Sequence, residues 1–596
     1  MTHYSAPIDE MRFVLQRIVG LDAITGLPGY GEATPDVVDA VLNEAGRLAS
    51  EVLAPLNHPG DREGCILENG VVRTPQGFTE AYRLYCEGGW NALPFPEEIG
   101  GQGLPWVVAM AVQEMWHAAN MAFALCPTLN QGAVELLASH GSPEQKALFL
   151  DRLVSGTWTG TMNLTEPQAG SDVGALRARA VRHADGSYRL FGQKIFITYG
   201  EHDLAENIVH MVLARTPDAP PGIRGVSLFI VPKFLMDANG ALGARNDLRC
   251  VSLEHKLGIH ACPTCVMAFG DEGGAVGQLV GEECRGIEYM FTMMNNARLS
   301  IGIQGVAIAE RAYQQALSYA RMRIQGRSPD GGNDSVPIIR HPDIRRMLLD
   351  MRARIEAARA LAYRAAAALD VGRRHPDADT RRAALDLADL LIPVAKAWCT
   401  DIGVEVASIG LQVHGGTGFI EETGAAQHYR DARIAPIYEG TNGIQAADLV
   451  FRKIRRDDGR CARAFIGEIL GFVDRADAAS GTTSAAILPR LKRAADALAA
   501  ATDHVLRDLD RAPSAAAAAA TPYLRMFGIV TGGYLMARAA AEAATARAAG
   551  DGSAFLAGKE TTARFYAETM LPMAEGLLVS VTDASRTVSE SLPDHF

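Results

Sequence analysis

The sequence predicts an α+β chain in which a helical segment, a compact β segment, a long helical bundle and a further helical module follow one another. Three observations carry that reading. Apolar residues recur at three- and four-residue spacing through the first part, as over Val37–Ala49, which is the period of a helix with one buried face. Between about Asn163 and Val280 the pattern changes to short β-branched and aromatic runs separated by turn residues, the signature of strands. From about Glu283 long amphipathic stretches return, as expected for an antiparallel bundle.

Taken in order, residues 1–162 read as an N-terminal helical domain and 163–282 as the β domain. Strands are expected at Tyr188–Thr198, Ile208–Ala214 and Val226–Val231, with Asp185-Gly186 as a hairpin turn. The bundle, 283–456, has helical period over Ile287–Ile324, His341–Asp370 and Arg381–Ile409. Residues 457–596 form an additional Ala- and Arg-rich helical domain. It is broken at Ser480–Ser484 and again at Pro513–Pro522, where six alanines in a row read as a low-complexity surface loop.

Composition narrows the function. A chain of 596 residues holds several cores, and 48% hydrophobic with 21% charged residues is an ordinary globular balance. A formal charge of −12 argues against nucleic acid as a partner, because phosphate neutralisation needs a basic face. Nine cysteines without a repeating framework read as reduced thiols, and Cys262-Pro-Thr-Cys265 has no second pair at zinc spacing, so no metal site is expected. The first residues lack a basic segment followed by a long apolar one, and no uncharged run approaches a membrane span. The expectation is a cytoplasmic protein with no membrane partner. Neither GxGxxG after a strand nor GxxxxGK[ST] occurs, which argues against Rossmann and P-loop nucleotide sites.

Three motifs carry chemistry. In Ile437-Tyr438-Glu439-Gly440-Thr441-Asn442-Gly443 a single carboxylate lies between an apolar-aromatic approach and a flexible turn. That setting suits a buried general base, since burial raises a carboxylate's pKa. Asn442 with Gln445 reads as a capping-box variant opening a helix. The loop Asn163-Leu-Thr-Glu-Pro-Gln-Ala-Gly-Ser-Asp172 offers hydroxyl and backbone donors, fitting a ligand loop and a structural turn alike. Phe196-Ile-Thr198 ends a strand with a ring and a hydroxyl, which fits both a cofactor cover and core.

Together, and in an α–β–α order, these motifs resemble the acyl-CoA dehydrogenase family of flavoproteins. Pro96–Gly103, Arg323, His341–Ile344, Gln412–Gly418 and Tyr429–Ala432 add to the match, which spans roughly 35–455. The resemblance implies the acyl-CoA dehydrogenase fold: N-terminal helices, a β-barrel-like middle domain and a C-terminal bundle. It implies FAD held by Met162, Leu164, Thr165, Phe196, Ile197 and Thr198 around the ring. Arg323, His341, Gln412, Gly415 and Gly416 would hold the pyrophosphate and adenosine half, some from a partner subunit, and Thr441, Asn442 and Gly443 would complete the site. Ser171, Asn295, Arg298 and Gly440 match acyl-CoA contacts. Glu439 would remove the α-proton of the thioester while the β-hydrogen leaves as hydride to flavin N5. The Glu439 backbone N–H and a flavin ribityl hydroxyl would stabilise the enolate-like oxygen.

In other branches the base precedes the residue matched by Arg298, but here that position is Ala297, so Glu439 stands alone. Two departures matter: Arg323-Ile-Gln-Gly-Arg327 replaces Arg-x-x-Phe-Gly ahead of a longer loop, Ser328–Pro337, and Phe196 stands where many members have Trp. Tyr4–Leu15, His255–Cys265 and Thr561–Glu568 resemble a longer branch that includes the 3-methylmercaptopropionyl-CoA dehydrogenases of dimethylsulfoniopropionate breakdown and related bacterial fatty acyl-CoA dehydrogenases. The implied substrate is 3-methylmercaptopropionyl-CoA or a short- or medium-chain fatty acyl-CoA. The implied partners are an acyl-CoA, an electron-transfer flavoprotein and further copies of the chain, as a homodimer or dimer of dimers. Two alternatives share the residues: an oxidase using oxygen, and a DNA-associated flavoprotein, for which the Arg452–Arg456 basic run is the one hint.

Overall fold

Caps set the ends of the elements. Ser142 accepts a hydrogen bond from the Gln145 N–H at 3.2 Å, and the Gln145 side chain accepts one from the Ser142 N–H at 3.0 Å. Pro143 takes the first helical position and Gly156, at φ +81°, ends the helix, each where its backbone preference fits. The computed structural model describes residues 4–237, 240–331, 333–477, 482–592 and 594.

The first helices are α1 (Ile8–Phe13), α2 (Leu21–Thr25), α3 (Pro35–Leu48) and α4 (Ala54–Glu63). A hairpin, β1 (Ile66–Glu68) and β2 (Val71–Arg73), turns over Asn69 and Gly70, both at positive φ. Helices α5 (Phe78–Glu87), α6 (Trp106–His140) and α7 (Pro143–Ser155) precede the sheet. Its strands are β3 (Trp158–Asn163), β4 (Arg179–Arg182), β5 (Tyr188–Thr198), β6 (Asn207–Ala214) and β7 (Ser227–Pro232). After the hairpin β8 (Phe234–Met236) and β9 (Leu242–Arg245) come β10 (Leu248–Leu253), β11 (Thr264–Phe269) and β12 (Ala275–Leu279). Helix α8 (Gly286–Met322) leads through a ribbon, β13 (Ile324–Arg327) and β14 (Ser335–Pro337), to α9 (Pro342–Arg374) and α10 (Ala378–His414). Then come α11 (Ala425–Ala432) and α12 (Asn442–Asp448). The extension holds α13 (Arg460–Asp477), α14 (Thr482–Arg511), α15 (Pro513–Ala548), α16 (Ala554–Thr569), α17 (Leu571–Val579) and α18 (Ser585–Glu590).

Contacts divide the chain into two compact units. One comprises Asn43–Leu104 and Met115–Ser300, and the other Met1–Leu42, Pro105–Glu114 and Ile301–Phe596. In the first, the sheet order is β10-β11-β5-β12-β7-β6-β3, with β4 beside β5. Strand β3 runs parallel to β6, so the sheet begins at Trp158, ahead of the expected start at Asn163. Strands β6, β7 and β11 are buried along their whole length. That is why they read as continuous apolar runs rather than as an alternation.

In the second unit α9 and α10 pack together through small side chains, and α15 packs on α9, α10 and α12. A Cβ on Gly528 would run into the Trp398 ring, and one on Gly532 would stand 2.7 Å from the Tyr566 hydroxyl. The expected surface loop at Pro513–Pro522 is instead the start of α15, with Pro513 in the first turn and Ala515, Ala516, Ala519 and Ala520 buried. Alanine is the strongest helix former, so a run of it extends a helix that has a face to bury. The other expected break lies between α13 and α14, but residues 478–481 fall outside the described ones.

The extension is also tied in by charge. Lys559 of α16 is buried and donates to Glu10 at 2.6 Å and to Glu356 of α9 at 2.9 Å. The basic run pairs with acids of its own unit: Arg452 with Asp448 at 3.1 Å, Lys453 with Asp389 at 3.2 Å, Arg455 with Asp510 at 3.2 Å and Arg456 with Asp386 at 3.0 Å. Each base of the run named here thus has an acid beside it.

Candidate active site

The loop after β3 is held against β5 by a buried ion pair. Lys194 Nζ donates to Glu166 Oε1 at 2.8 Å and to the Leu164 carbonyl at 3.0 Å. The Ile195 N–H donates to the Thr165 carbonyl at 2.9 Å. Glu166 also accepts from the backbone N–H groups of Arg177 (2.7 Å) and Ala178 (3.0 Å). Burial pushes the Lys194 amine down to about 8 against the pull of Glu166. Burial alone would raise the Glu166 carboxyl; Lys194 and the two backbone donors outweigh it and hold it below the usual range. Sequence inspection missed this pair. Its signal is a lysine on an inward position of a β-branched and aromatic strand.

Beside that anchor the strand is irregular. Cys265 pairs with Ile197 and Met267 with Lys194, so Ile195 and Phe196 together face Val266. This is a β-bulge. Phe196 sits at φ +61°, rare for a residue with a side chain, and its ring is 58% exposed. Ile197 returns to the core, while Thr198 stays half-buried, as do Met162, Leu164 and Thr165. The bulged end of β5 and the loop after β3 thus carry an outward aromatic ring, two hydroxyls and an apolar surround. Such a donor set suits a flat, partly polar ring system. Ser171 is exposed in the same loop. On α8, Asn295 is half-buried and Arg298 is buried, its guanidinium 6.0 Å from the Phe291 ring. Ala297 is buried between them, and Met293 packs as core against Gly132.

In the second unit Glu439 occupies a strained turn. It sits at φ +54° and Gly440 at φ +84°, a conformation that costs about 1–3 kcal/mol for a non-glycine residue and persists only where the surroundings hold it. Lys396 of α10, wholly buried, donates to the Gly440 carbonyl at 2.8 Å and to Asn442 Oδ1 at 3.0 Å. Gln445 Nε2 donates to the carbonyls of Glu439 (3.2 Å) and Gly440 (3.3 Å). The Tyr438 hydroxyl donates to Gln304 of α8. Lys396 was not singled out from the sequence; its signal is a lone cation within the apolar run Leu390–Trp398.

Two expectations are corrected here. The cap of α12 is Thr441, whose hydroxyl accepts from the Ile444 N–H at 3.2 Å, not Asn442. The Asn442 amide turns inward, donating to the Ala397 carbonyl (3.0 Å) and Asp401 (2.7 Å) while accepting from Lys396 and Thr400. Its side chain is therefore spent on α10, and its N–H donates to the Pro436 carbonyl at 2.9 Å. Nor is Glu439 buried as expected: it is half-buried, and Ile437 beside it is 46% exposed.

The remaining predicted residues gather at the ends of α8 and α10. Arg323 is exposed just past α8, and the His341 ring nitrogen Nε2 lies 2.7 Å from the Gln325 carbonyl. Gln412, Gly415 and Gly416 are exposed at the end of α10. Gly415, at φ +61°, has no atom within 4 Å of an added Cβ. The His414 ring stacks on Tyr319 of α8 at 4.5 Å, which brings the two helix ends together.

Comparison with known proteins settles the family. Models of the acyl-CoA dehydrogenase N-terminal, middle and C-terminal domains match residues 39–157, 161–271 and 284–453. A 3-methylmercaptopropionyl-CoA dehydrogenase of Ruegeria pomeroyi is 49% identical over 581 residues, 97% of this chain and 98% of that one. The chain belongs to the acyl-CoA dehydrogenase family. A further model, acetyl-CoA dehydrogenase C-terminal like, matches 465–591, so this acyl-CoA dehydrogenase carries the additional C-terminal domain. A broad-specificity linear acyl-CoA dehydrogenase of Mycobacterium tuberculosis is 35% identical over 611 residues, 99% of each chain. Among solved structures, an acyl-CoA dehydrogenase from Bacillus anthracis complexed with FAD superposes with a TM-score of 0.74 at 20% identity. It covers 94% of this chain and 90% of that one, and confirms the fold. Among the described residues no helix is long and apolar enough to cross a membrane, and no group of His, Cys, Asp or Glu has a metal-binding arrangement.

Proposed function

We propose that this acyl-CoA dehydrogenase binds FAD and oxidises an acyl-CoA to the trans-2-enoyl-CoA with Glu439 as its base. The observation that carries the reading is the turn itself: a carboxylate on a strained backbone, clamped from behind by Lys396 and Gln445. Bound FAD supplies the two-electron acceptor for the β-hydrogen. Phe196, whose ring points outward, would cover the flavin, with Thr165 and Thr198 as donors to it and Met162, Leu164 and Ile197 as the apolar surround. Arg323, His341, Gln412, Gly415 and Gly416 hold the phosphate and adenosine half, where the bare Gly415 backbone permits close approach. Thr441, Gly443 and the Asn442 backbone complete that site. Ser171, Asn295, Arg298 and Gly440 position the thioester and the CoA chain.

Glu439 takes the α-proton, and the Glu439 N–H donates to the thioester oxygen as charge develops there. An α-proton of a thioester is a weak acid, so fixed donors at that oxygen carry much of the rate. Glu439→Gln keeps flavin but loses roughly 10²–10⁴-fold in flavin reduction by acyl-CoA. Near-normal reduction in that variant, followed by stopped-flow bleaching of the flavin, would sink the assignment.

The relative of highest identity given above supports 3-methylmercaptopropionyl-CoA, within dimethylsulfoniopropionate breakdown, as substrate, with a short- or medium-chain fatty acyl-CoA as the alternative. Anaerobic bleaching by a panel of acyl-CoAs tests this, and preference for an unsubstituted straight chain refutes the first of these. The four-part division at 1–162, 163–282, 283–456 and 457–596, a homodimer or dimer of dimers, a cytoplasmic setting and an electron-transfer flavoprotein as acceptor belong to the same proposal.

A further inference from the structure

We infer that Lys396 is a positioning residue for catalysis: it sets the orientation of Glu439 through the Gly440 carbonyl. The inference rests on Glu439 being the base. Four facts support it. The Lys396 side chain is fully buried in α10, on a helix that otherwise presents apolar residues there. Its amine reaches the residue immediately after Glu439, at 2.8 Å. Its second partner, Asn442 Oδ1 at 3.0 Å, lies on the first turn of α12, so one group spans both ends of the Glu439–Asn442 turn. The Asn442 amide in turn is fixed by Ala397 and Asp401, close to Lys396 on the same helix.

The turn needs such a hold. Glu439 and Gly440 are consecutive left-handed residues, and an L-residue leaves that region readily when its carbonyls are released. Rotating the Glu439–Gly440 segment swings the carboxylate and the N–H of Glu439 together, because they share one Cα. Base and thioester donor therefore misalign as a unit. At the Gly440 carbonyl itself the other donor is Gln445, a weaker hold, since one amide nitrogen divides its bonds between two carbonyls at 3.2 and 3.3 Å.

The test compares Lys396→Met, which keeps the volume and loses the donor, with Lys396→Gln, which keeps a neutral donor. Each variant is purified with its flavin and mixed anaerobically with acyl-CoA. For Lys396→Met the limiting rate of flavin reduction falls about 10–100-fold, as expected for a sub-ångström to 1 Å misplacement, while half-saturating acyl-CoA and reduction by dithionite are unchanged. Lys396→Gln recovers most of the rate. Amide exchange across residues 436–443 is faster in Lys396→Met and near normal in Lys396→Gln. A Lys396→Met rate within twofold of the parent overturns the inference, as does Lys396→Gln as slow as Lys396→Met. If Lys396→Met does not retain flavin, Gln445→Leu decides: a lower limiting rate at unchanged half-saturation supports the inference, and an unchanged rate overturns it. Glu439→Gln run alongside separates the two readings. An inactive Glu439→Gln with a normal Lys396→Met removes the clamp and keeps the base; an active Glu439→Gln removes the base.

Discussion

Replacing Glu166 by Gln strands a lysine in the β-sheet unit, and the resulting instability carries a pH signature. Lys194 is fully buried and has two oxygen partners, Glu166 and the Leu164 carbonyl. Removing one member of a buried ion pair costs about 3–5 kcal/mol, because the other charge stays behind uncompensated. Lys194 has an escape: it can lose its proton. Its pKa already stands at about 8, with Glu166 pulling it upward. An opposite charge in contact shifts a pKa by about 1–3 units, so without Glu166 the amine titrates between about 5 and 7.

The sign follows from linkage. In the unfolded chain Lys194 titrates near 10.4, so between the variant's folded pKa and that value the unfolded state binds more protons, and stability rises with pH. The parent gains in the same way only above about 8. The deficit of Glu166→Gln relative to the parent therefore shrinks by about 1.4 kcal/mol per pH unit up to about pH 8 and is flat beyond it. Urea unfolding of both proteins from pH 6 to 9, followed by circular dichroism, measures this. Lys194→Met serves as control: with no amine to deprotonate, its deficit does not shrink as pH rises and grows above about pH 8, where the parent alone gains. A Glu166→Gln deficit that does not change with pH would refute the account of Lys194.

The extension yields two further predictions besides those on Glu439 and Lys396. Gly528→Ala forces a methyl into the Trp398 ring; overpacking of this kind costs about 1–3 kcal/mol, read as a lower midpoint in thermal unfolding. Lys559→Met leaves Glu10 and Glu356 buried together without their shared cation. It is expected to lower stability by about 3–5 kcal/mol, and adding Glu10→Gln should recover part of that loss in the same unfolding assay.

Much of the architecture was legible where the local pattern and the final environment agree. Strand β5 has its predicted ends because its residues alternate between core and surface; α8, α9 and α10 lie where expected because their apolar faces are long, although α9 and α10 run on past Asp370 and Ile409 to Arg374 and His414. The β1–β2 hairpin escaped notice because three-residue strands show no periodicity, although Asn69-Gly70 is a strong turn signal. The polyalanine start of α15 misled for a different reason: low complexity suggests a loop, yet Ala515, Ala516, Ala519 and Ala520 give α15 a buried face. At the site, the residues that meet ligands are recognisable by motif. Those that hold them, Lys194 behind the loop and Lys396 behind Glu439, are not. A buried lysine differs from an exposed one only through partners distant in sequence: Glu166 in the first case, Gly440 and Asn442 in the second.

The bulge at Phe196 separates what the sheet requires from what it tolerates. If Phe196 were absent, Ile195 would face Val266 alone, and Lys194 and Ile197 would keep both their partners and their sides of the sheet. Strand β5 would then be a regular ladder. Phe196 is thus supernumerary to the sheet, an extra residue that disturbs the hydrogen bonding around it and leaves an aromatic surface in water. Its ring can change in size without touching the core, so Phe and Trp are interchangeable there as far as folding is concerned. Selection on this position acts through whatever lies against the ring.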